Sequence, residues 1–212
     1  MNSLPTQAGA PPKPSFPFVT TVIIGGAILV AASDLVAPHV ALRLGALFAP
    51  LVRAHQWWRL LSYAFVHGGA IHLGMNMFVA YQMAIPLERR LGSARFAEIS
   101  LVTCIGGAAG VLLLAPPEAV TIGASGMILG WAGLIVPLLS RENFAPFSRF
   151  LLLNALISFL PGISWQAHLG GFVSGLACGV LLRLQGKRFS SLAPALVGGT
   201  TLVALWAAYR PR

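Results

Sequence analysis

Residues 165–182 read WQAHLGGFVSGLACGVLL, and none of them carries a formal charge. Glycines recur at every fourth position, at Gly171, Gly175 and Gly179, so they fall on one face of a helix. Small faces of this kind let helix backbones approach closely in lipid. His168 lies about one turn before Gly171. The stretch therefore predicts a membrane helix whose glycine face packs closely on a neighbouring helix, with the imidazole of His168 beside that contact.

The composition of the whole chain indicates a membrane protein. Of its 212 residues, 57% are hydrophobic and only 9% are charged, and the mean hydropathy is +0.80. Soluble domains carry about 25% charged residues. The net charge of +9 does not indicate nucleic-acid binding, because the basic residues form no stripe and fall at the ends of apolar segments. Cys104 and Cys178 lie inside apolar segments and are interpreted as packing residues rather than as a disulfide framework.

Seven apolar segments predict an all-α, polytopic membrane helix bundle. They are residues 18–37, 71–87, 96–115, 125–140, 147–160, 165–182 and 192–208. Several are shorter than the roughly 20 residues that a full crossing requires. Pro161-Gly162 separates the fifth span from the sixth by a tight turn. The predicted organisation is a flexible tail at 1–16, a six-helix core at 17–186, and a linker with a seventh, C-terminal span at 187–212.

The basic residues predict the orientation of the chain. With a cytoplasmic N-terminus, nine basic residues lie inside and five outside, which agrees with the positive-inside rule. The inner set is Lys13, Arg89, Arg90, Arg95, Arg141, Arg149, Arg183, Lys187 and Arg188, and the outer set is Arg43, Arg53, Arg59, Arg210 and Arg212. The Pro-rich lead favours an uncleaved first span over a signal peptide. The small size and short loops favour a bacterial inner membrane.

Polar residues open the second, fourth and sixth spans, which all run from outside to inside in this orientation. His72, Ser125 and His168 each lie fifteen or sixteen residues before a charged residue at the inner end. That distance is roughly 22–24 Å along a helix, so the three share one depth near the outer surface. Asn76 lies one turn deeper. The spacing predicts that these four side chains meet at one level of the bundle.

A close contact between spans four and six pairs Ser125 with His168. Gly126, Gly130 and Gly133 share a face of span four, and pressing it on the glycine face of span six brings the hydroxyl towards the imidazole. A Ser–His pair is the minimum for nucleophilic acyl transfer. No Asp or Glu in the sequence falls at this depth. The predicted catalytic unit is therefore a dyad rather than a triad.

The same residues provide a site for developing negative charge. Ser125 begins a helix, where free backbone N–H groups and the positive end of the helix dipole favour an oxyanion. His72 and Asn76, four residues apart on one face, can donate further hydrogen bonds to it. Gly123 and Gly126 permit a tight entry and a close approach of substrate.

Taken singly, these residues have plainer explanations. A buried Ser usually bonds to a carbonyl one turn back, and a His near the end of a span is often an interfacial residue. Glycine faces in membrane helices mostly mark packing. Four polar residues at matching depth favour function instead, because ionisable groups inside a membrane are costly.

Five short motifs fall between Gln56 and Leu182. They are WWR at 57–59, HGGAIHLGMN at 67–76, LERRLGS at 87–93, GASG at 123–126 and AHLGGFVSG at 167–175. Together they resemble the rhomboid family of intramembrane serine proteases. GxSG alone is a weak signal, but GxSG followed by AHxxGxxxG, with HxxxxHxxxN upstream and all in membrane spans, is specific.

The resemblance implies roles for individual residues. Ser125 would be the nucleophile and His168 the general base and acid. His72, Asn76 and the backbone N–H of Ser125 would form the oxyanion site. His67 matches a position that is structural in the family.

Further expectations follow from the resemblance. Residues 57–59 would lie in a long first loop within the outer leaflet, and Glu88 and Arg89 would form a structural pair at the inner end of span two. A span after the six-helix core is a variation seen in the family. Many relatives have Tyr or Phe four residues after the nucleophile, stacked on the histidine. This chain has Leu129 there, which loses an aromatic contact of about 0.5–1.5 kcal/mol but no catalytic atom.

The sequence therefore predicts an intramembrane serine endopeptidase that acts on transmembrane proteins without a cofactor or metal. The resemblance implies a substrate with small residues beside the scissile bond and a helix that unwinds easily. Substrate is expected to enter laterally past span five. An alternative is a catalytically silent relative that binds or escorts membrane proteins. A metal or haem site built from His67, His72 and His168 ranks last, because HExxH is absent and no carboxylate shares their depth.

Overall fold

The structure of the protein is a computed structural model that describes residues 16–211. The predicted tail at 1–16 therefore lies outside the described residues, apart from Phe16. Seven helices of 11 residues or more make up most of the described chain. They are α1 (Phe18–Val36), α5 (Ala70–Leu91), α6 (Ser93–Leu114), α7 (Ser125–Ile135), α8 (Arg141–Ile157), α9 (Trp165–Gln185) and α10 (Phe189–Tyr209).

Shorter elements fill the connections between the long helices. The loop after α1 contains α2 (Val40–Gly45), β1 (Leu47–Phe48), α3 (Ala49–Arg53), α4 (Arg59–Ser62) and a 3-10 turn (Tyr63–Phe65). Strand β2 (Val120–Thr121) precedes α7, and 3-10 turns at Val136–Leu138 and Gly186–Arg188 extend α7 and α9.

Four of the long helices are long and apolar enough to cross a membrane on their own: α1, α6, α9 and α10. Helix α7 is shorter, but with its 3-10 extension it forms a continuous apolar segment, Ser125–Leu138. The predicted all-α, polytopic bundle is confirmed, and the chain is an integral multi-pass membrane protein. The seventh predicted span corresponds to α10, which packs against α6 and whose buried residues include Phe189 and Ala204.

The bundle is built around α6, the most buried of the spanning helices. Every residue from Val102 to Leu112 is buried, and the helix meets α7, α9 and α10. Trp131 of α7 is fully buried against it and donates a hydrogen bond from Nε1 to Ser100 Oγ at 3.1 Å. Because the core sits on α6, the starts of α7 and α9 are held side by side.

Glycine brings α7 and α9 into backbone contact. A Cβ at Gly171 would collide with the carbonyl oxygen of Gly126, and one at Gly175 would collide with that of Gly130. These are the two glycine faces that the sequence placed against each other. A third surface was not predicted: Gly170, on the other side of α9, packs in the same way on Gly110 of α6.

Arg59 organises the loop between α1 and α5. The residue is 3% exposed, and its guanidinium donates to Gln56 Oε1 at 2.8 Å, to Ala46 O at 2.6 Å and to Arg43 O at 2.6 Å. These bonds satisfy most of its five N–H groups on one short stretch of chain. The buried Arg59 side chain therefore stabilises the loop through hydrogen bonds to residues of the same loop.

The same loop also contacts the segment before Ser125 and presents aromatic residues outward. Strands β1 and β2 pair antiparallel, with Leu47 opposite Thr121. Trp57 and Trp58 are about half exposed, at 48% and 55%. Exposed tryptophans of this kind are typical of a membrane interface, in agreement with the interfacial loop that the resemblance implies.

The resemblance had implied a structural pair between Glu88 and Arg89. In the structure Glu88 has other partners. Its carboxylate accepts hydrogen bonds from the backbone N–H of Val19 (2.9 Å) and of Thr20 (2.8 Å), and from the hydroxyls of Thr20 (2.7 Å) and Ser93 (2.6 Å). Arg89 is exposed. The first N–H groups of a helix lack partners within it, and a carboxylate satisfies them better than it would pair with a solvated arginine.

Candidate active site

The structure places Ser125 and His168 in direct contact. Ser125 Oγ lies 2.8 Å from His168 Nε2. Ser125 is the first residue of α7 and His168 lies in the first turn of α9, so the glycine contact between these helices sets the distance. The serine is half-buried, and the histidine is buried. A hydroxyl and an imidazole in this arrangement can exchange a proton.

A turn that requires glycine presents the serine. Gly123 has φ +110°, which only glycine adopts without strain, and its N–H donates to Tyr63 O at 2.9 Å. Tyr63 is itself buried and donates its hydroxyl to Cys104 O of α6 at 2.8 Å. The turn before the nucleophile is therefore tied to the core.

His67 supports the same turn from the neighbouring loop. Its Nδ1 lies 3.2 Å from Phe65 O and its Nε2 accepts from the N–H of Ala124 at 3.5 Å. Nδ1 therefore carries the ring proton, and both nitrogens are occupied. Burial lowers the pKa of His67 to about 4, so it stays neutral near pH 7. These contacts fit the structural role that the resemblance implies.

His72 lies across from the serine and directs a donor towards it. The N–H of Gly68 donates to His72 Nδ1 at 3.3 Å, so in the neutral ring the proton resides on Nε2. A Cβ built on Gly123 would lie 2.8 Å from His72 Nε2 and 4.0 Å from Ser125 Oγ. The missing side chain of Gly123 thus leaves a small space bounded by an N–H donor and the hydroxyl.

Asn76 is turned partly away from that space. Its Nδ2 donates to His72 O at 2.9 Å, one turn back on α5, and the side chain is 8% exposed. It nevertheless lines the same cavity as His72, Ser125 and His168. The structure therefore brings all four predicted site residues to one cavity. Of the four, Asn76 is the one whose side-chain amide bonds to the backbone of its own helix.

This central cavity has a volume of about 490 Å³ and lies at the end of the bundle where α5, α7 and α9 begin. Its walls include Met75 and Val79 from α5 and Asn154 and Ile157 from α8. A second cavity of about 340 Å³ lies on the other side of His168, between α8 and α9, and is almost entirely apolar. Leu129 borders both cavities. It is the residue four positions after Ser125, where the resemblance led us to expect Tyr or Phe.

Sequence reasoning missed Ser158. This residue follows the last turn of α8, and its Oγ lies 2.6 Å from His168 Nδ1. It stands ten residues before the histidine, across the Pro161-Gly162 turn. No helical periodicity spans such a turn, so the pattern contained no signal for this contact.

Within residues 16–211, no group of three His, Cys, Asp or Glu side chains is positioned to hold a metal ion. The rings of His67 and His72 meet edge to face, with centroids 5.0 Å apart. Their contacts are those of packed, hydrogen-bonded side chains.

Comparison with known proteins identifies the family. The model of the rhomboid domain matches residues 54–185. The chain belongs to the rhomboid family. RHOMBOID-like protein 5 of Arabidopsis thaliana is 33% identical over 153 residues, covering 68% of this chain and 50% of the relative. Rhomboid protease GluP of Bacillus subtilis is 30% identical over 164 residues, covering 73% of this chain and 31% of the relative.

Membership of the rhomboid family confirms the resemblance inferred from the motifs. A further relative, RHOMBOID-like protein 6, mitochondrial, of Arabidopsis thaliana, is 34% identical and matches 68% of this chain over 50% of its own length. The chain spans half or less of the length of these curated rhomboid relatives. Because these relatives come from a plant and from a bacterium, the bacterial inner membrane stays a prediction. The cytoplasmic N-terminus also stays a prediction, which rests on the distribution of basic residues.

Proposed function

We propose that this rhomboid is an intramembrane serine endopeptidase that hydrolyses peptide bonds in or near the transmembrane segments of other membrane proteins. The observation that carries the proposal is the 2.8 Å contact between Ser125 Oγ and His168 Nε2 inside a cavity at one end of the bundle. A silent escort protein of the same fold has no need of a nucleophile in contact with a base, so the escort alternative ranks second.

The proposed reaction begins with proton transfer from Ser125 Oγ to His168 Nε2. The oxygen attacks the scissile carbonyl carbon, and the carbonyl oxygen becomes an oxyanion. His168 then gives the proton to the leaving amine, and an acyl-enzyme remains on Ser125. Water, deprotonated by the same imidazole, hydrolyses this ester and frees the serine.

The space beside Gly123 is the proposed oxyanion site. His72 Nε2 borders it, and the backbone N–H of Ser125 has no partner within α7 because it belongs to the first turn. The positive end of the α7 dipole adds to both donors. Asn76 completes the set if its amide leaves His72 O when substrate binds.

Substrate is proposed to enter between α5 and α8. Both helices contribute walls to the central cavity, and α8 has no buried residue along Arg141–Ile157. A helix that buries so little is the wall that moves at lowest cost. A substrate segment with small residues and a weak helix would reach Ser125 most easily, because a peptide bond inside an intact helix is shielded.

Reaction with a fluorophosphonate tests the proposal directly. The purified chain in detergent is treated with the probe, and mass spectrometry locates the adduct, which is expected on Ser125 because only an activated hydroxyl reacts rapidly. Cleavage of a model transmembrane substrate in liposomes is measured in parallel. An adduct on another serine would point to another nucleophile, and absence of both adduct and cleavage would favour the escort alternative.

His72→Ala is expected to lower kcat by roughly 10²–10³-fold with little change in KM, because an oxyanion donor acts only in the transition state. Steady-state cleavage of the model substrate measures both constants. Gln82→Ala is the matched control, since it truncates an exposed polar residue on the same helix. A raised KM with unchanged kcat would assign His72 to substrate binding instead.

A further inference from the structure

Ser158 lies in contact with the side of His168 that faces away from the nucleophile. Its Oγ lies 2.6 Å from His168 Nδ1 and 2.6 Å from Asn154 O, and the side chain is 5% exposed. The two ring nitrogens of His168 are therefore each bonded to a serine hydroxyl, Nε2 to Ser125 and Nδ1 to Ser158.

The protons in this chain of hydrogen bonds have one consistent arrangement. A serine hydroxyl has a single proton, and Ser158 donates it to Asn154 O, so its oxygen must accept from His168 Nδ1. Nδ1 then carries the ring proton of the neutral imidazole. Nε2 is left with its lone pair, which is the form required to accept the proton of Ser125.

We propose that Ser158 is a positioning residue that holds His168 in the tautomer and orientation of a general base, the place that a carboxylate takes in a Ser-His-Asp triad. This inference rests on the proposed protease function. Among the residues that line the two cavities beside His168, none is Asp or Glu. A neutral hydroxyl is therefore the group available to orient the ring.

The contact also joins the imidazole to the least anchored helix. Asn154 lies in the last turn of α8 and Ser158 follows that turn, while Arg141–Ile157 includes no buried residue. Where α8 moves to admit a substrate, the bond to Nδ1 breaks, and it forms again when α8 returns. The orientation of the base is thus coupled to closure of this wall.

Three variants test the role of the hydroxyl. Ser158→Ala is expected to reduce kcat roughly 3- to 10-fold with KM nearly unchanged, because one neutral hydrogen bond to the base is lost. Ser158→Thr keeps the hydroxyl, and its methyl has room in the apolar cavity that Ser158 borders, so it is expected to restore most of the rate. Ser148→Ala, which removes a hydroxyl bonded to Ala145 O on the same helix, is the matched control and should not change kcat.

A spectroscopic measurement tests the tautomer without any need for activity. The chain is labelled with ¹⁵N-histidine, and the His168 signals are assigned by their loss in His168→Ala. The wild type is expected to show a protonated Nδ1 and an unprotonated Nε2, and Ser158→Ala a mixture of both tautomers. A single Nδ1-protonated signal that persists in Ser158→Ala would overturn the inference.

The outcomes separate this inference from the proposed function. If Ser158→Ala retains the full rate, or Ser158→Thr fails to restore it, the positioning role is wrong while Ser125 and His168 remain the dyad. If the wild type neither reacts with fluorophosphonate nor cleaves substrate, the protease proposal fails. The ¹⁵N result then still decides whether Ser158 sets the state of the ring.

Discussion

Ser125→Ala and His168→Ala are each expected to reduce cleavage of a model transmembrane substrate by about 10⁴-fold or more, to the same residual rate. The nucleophile and its base lie 2.8 Å apart and act as one unit. Once either is absent, loss of the other has nothing further to remove, so the double variant should equal the single ones. Initial rates of wild type and three variants in the same liposomes measure this.

The unfolding temperatures of the variants show whether a lower cleavage rate reflects lost chemistry or a loss of folded protein. Ser125 is half-buried, and its hydroxyl contacts only its partner side chain among the hydrogen bonds described, so Ser125→Ala should unfold at nearly the wild-type temperature. Ser148→Ala serves as the matched serine control. If His168→Ala were clearly faster than Ser125→Ala, another group would be the base, and His72, on the opposite wall of the cavity, would be the candidate.

The parts of the site that the sequence predicted are those governed by helix periodicity. Gly171 and Gly175 repeat every fourth residue, and Gly126 and Gly130 do the same on α7, so each face can be read from spacing alone. Comparing the distances of the polar residues from the inner ends of their spans then predicted that the Ser125 hydroxyl and the His168 imidazole lie at the same depth in the membrane. Both steps use only the rise per residue of a helix.

The parts that were missed depend on contacts that spacing does not encode. Ser158 contacts His168 across a turn. Gly170 packs on α6 because α9 has two close neighbours, α7 and α6, whereas the sequence analysis considered only the first. Glu88 caps α1 because unpaired N–H groups of a distant helix attract a carboxylate more strongly than Arg89 beside it does. Each of these depends on which helices become neighbours.

The start of the fifth span was also displaced for a physical reason. The sequence placed it at 147–160, whereas α8 runs over Arg141–Ile157 and includes the polar residues before Phe147. Hydropathy marks the apolar part of a helix, while backbone hydrogen bonds extend it beyond that part. Pro146 is the sixth residue of α8 and lies inside the helix, so the carbonyl of Glu142 lacks the hydrogen bond that an N–H at position 146 would donate.

Gly175→Ala is expected to lower the free energy of unfolding by roughly 3 kcal/mol and to remove activity. A Cβ at this position would collide with the carbonyl oxygen of Gly130, and it would lie 2.9 Å from Gly130 Cα. Both are backbone atoms, which no change of rotamer can move. Helix α9 must therefore shift away from α7, and the contact between Ser125 and His168 opens with it.

Gly199→Ala makes the same chemical change where nothing opposes it. Gly199 lies in the middle of α10 with no atom within 4 Å of a built Cβ. Alanine loses less backbone entropy than glycine on forming a helix, so this variant should gain about 0.5–1 kcal/mol. Unfolding in detergent, followed by circular dichroism, compares the pair. Equal stability of the two variants would mean that α7 and α9 do not touch through their backbones, and the geometry that joins the hydroxyl to the imidazole would lose its cause.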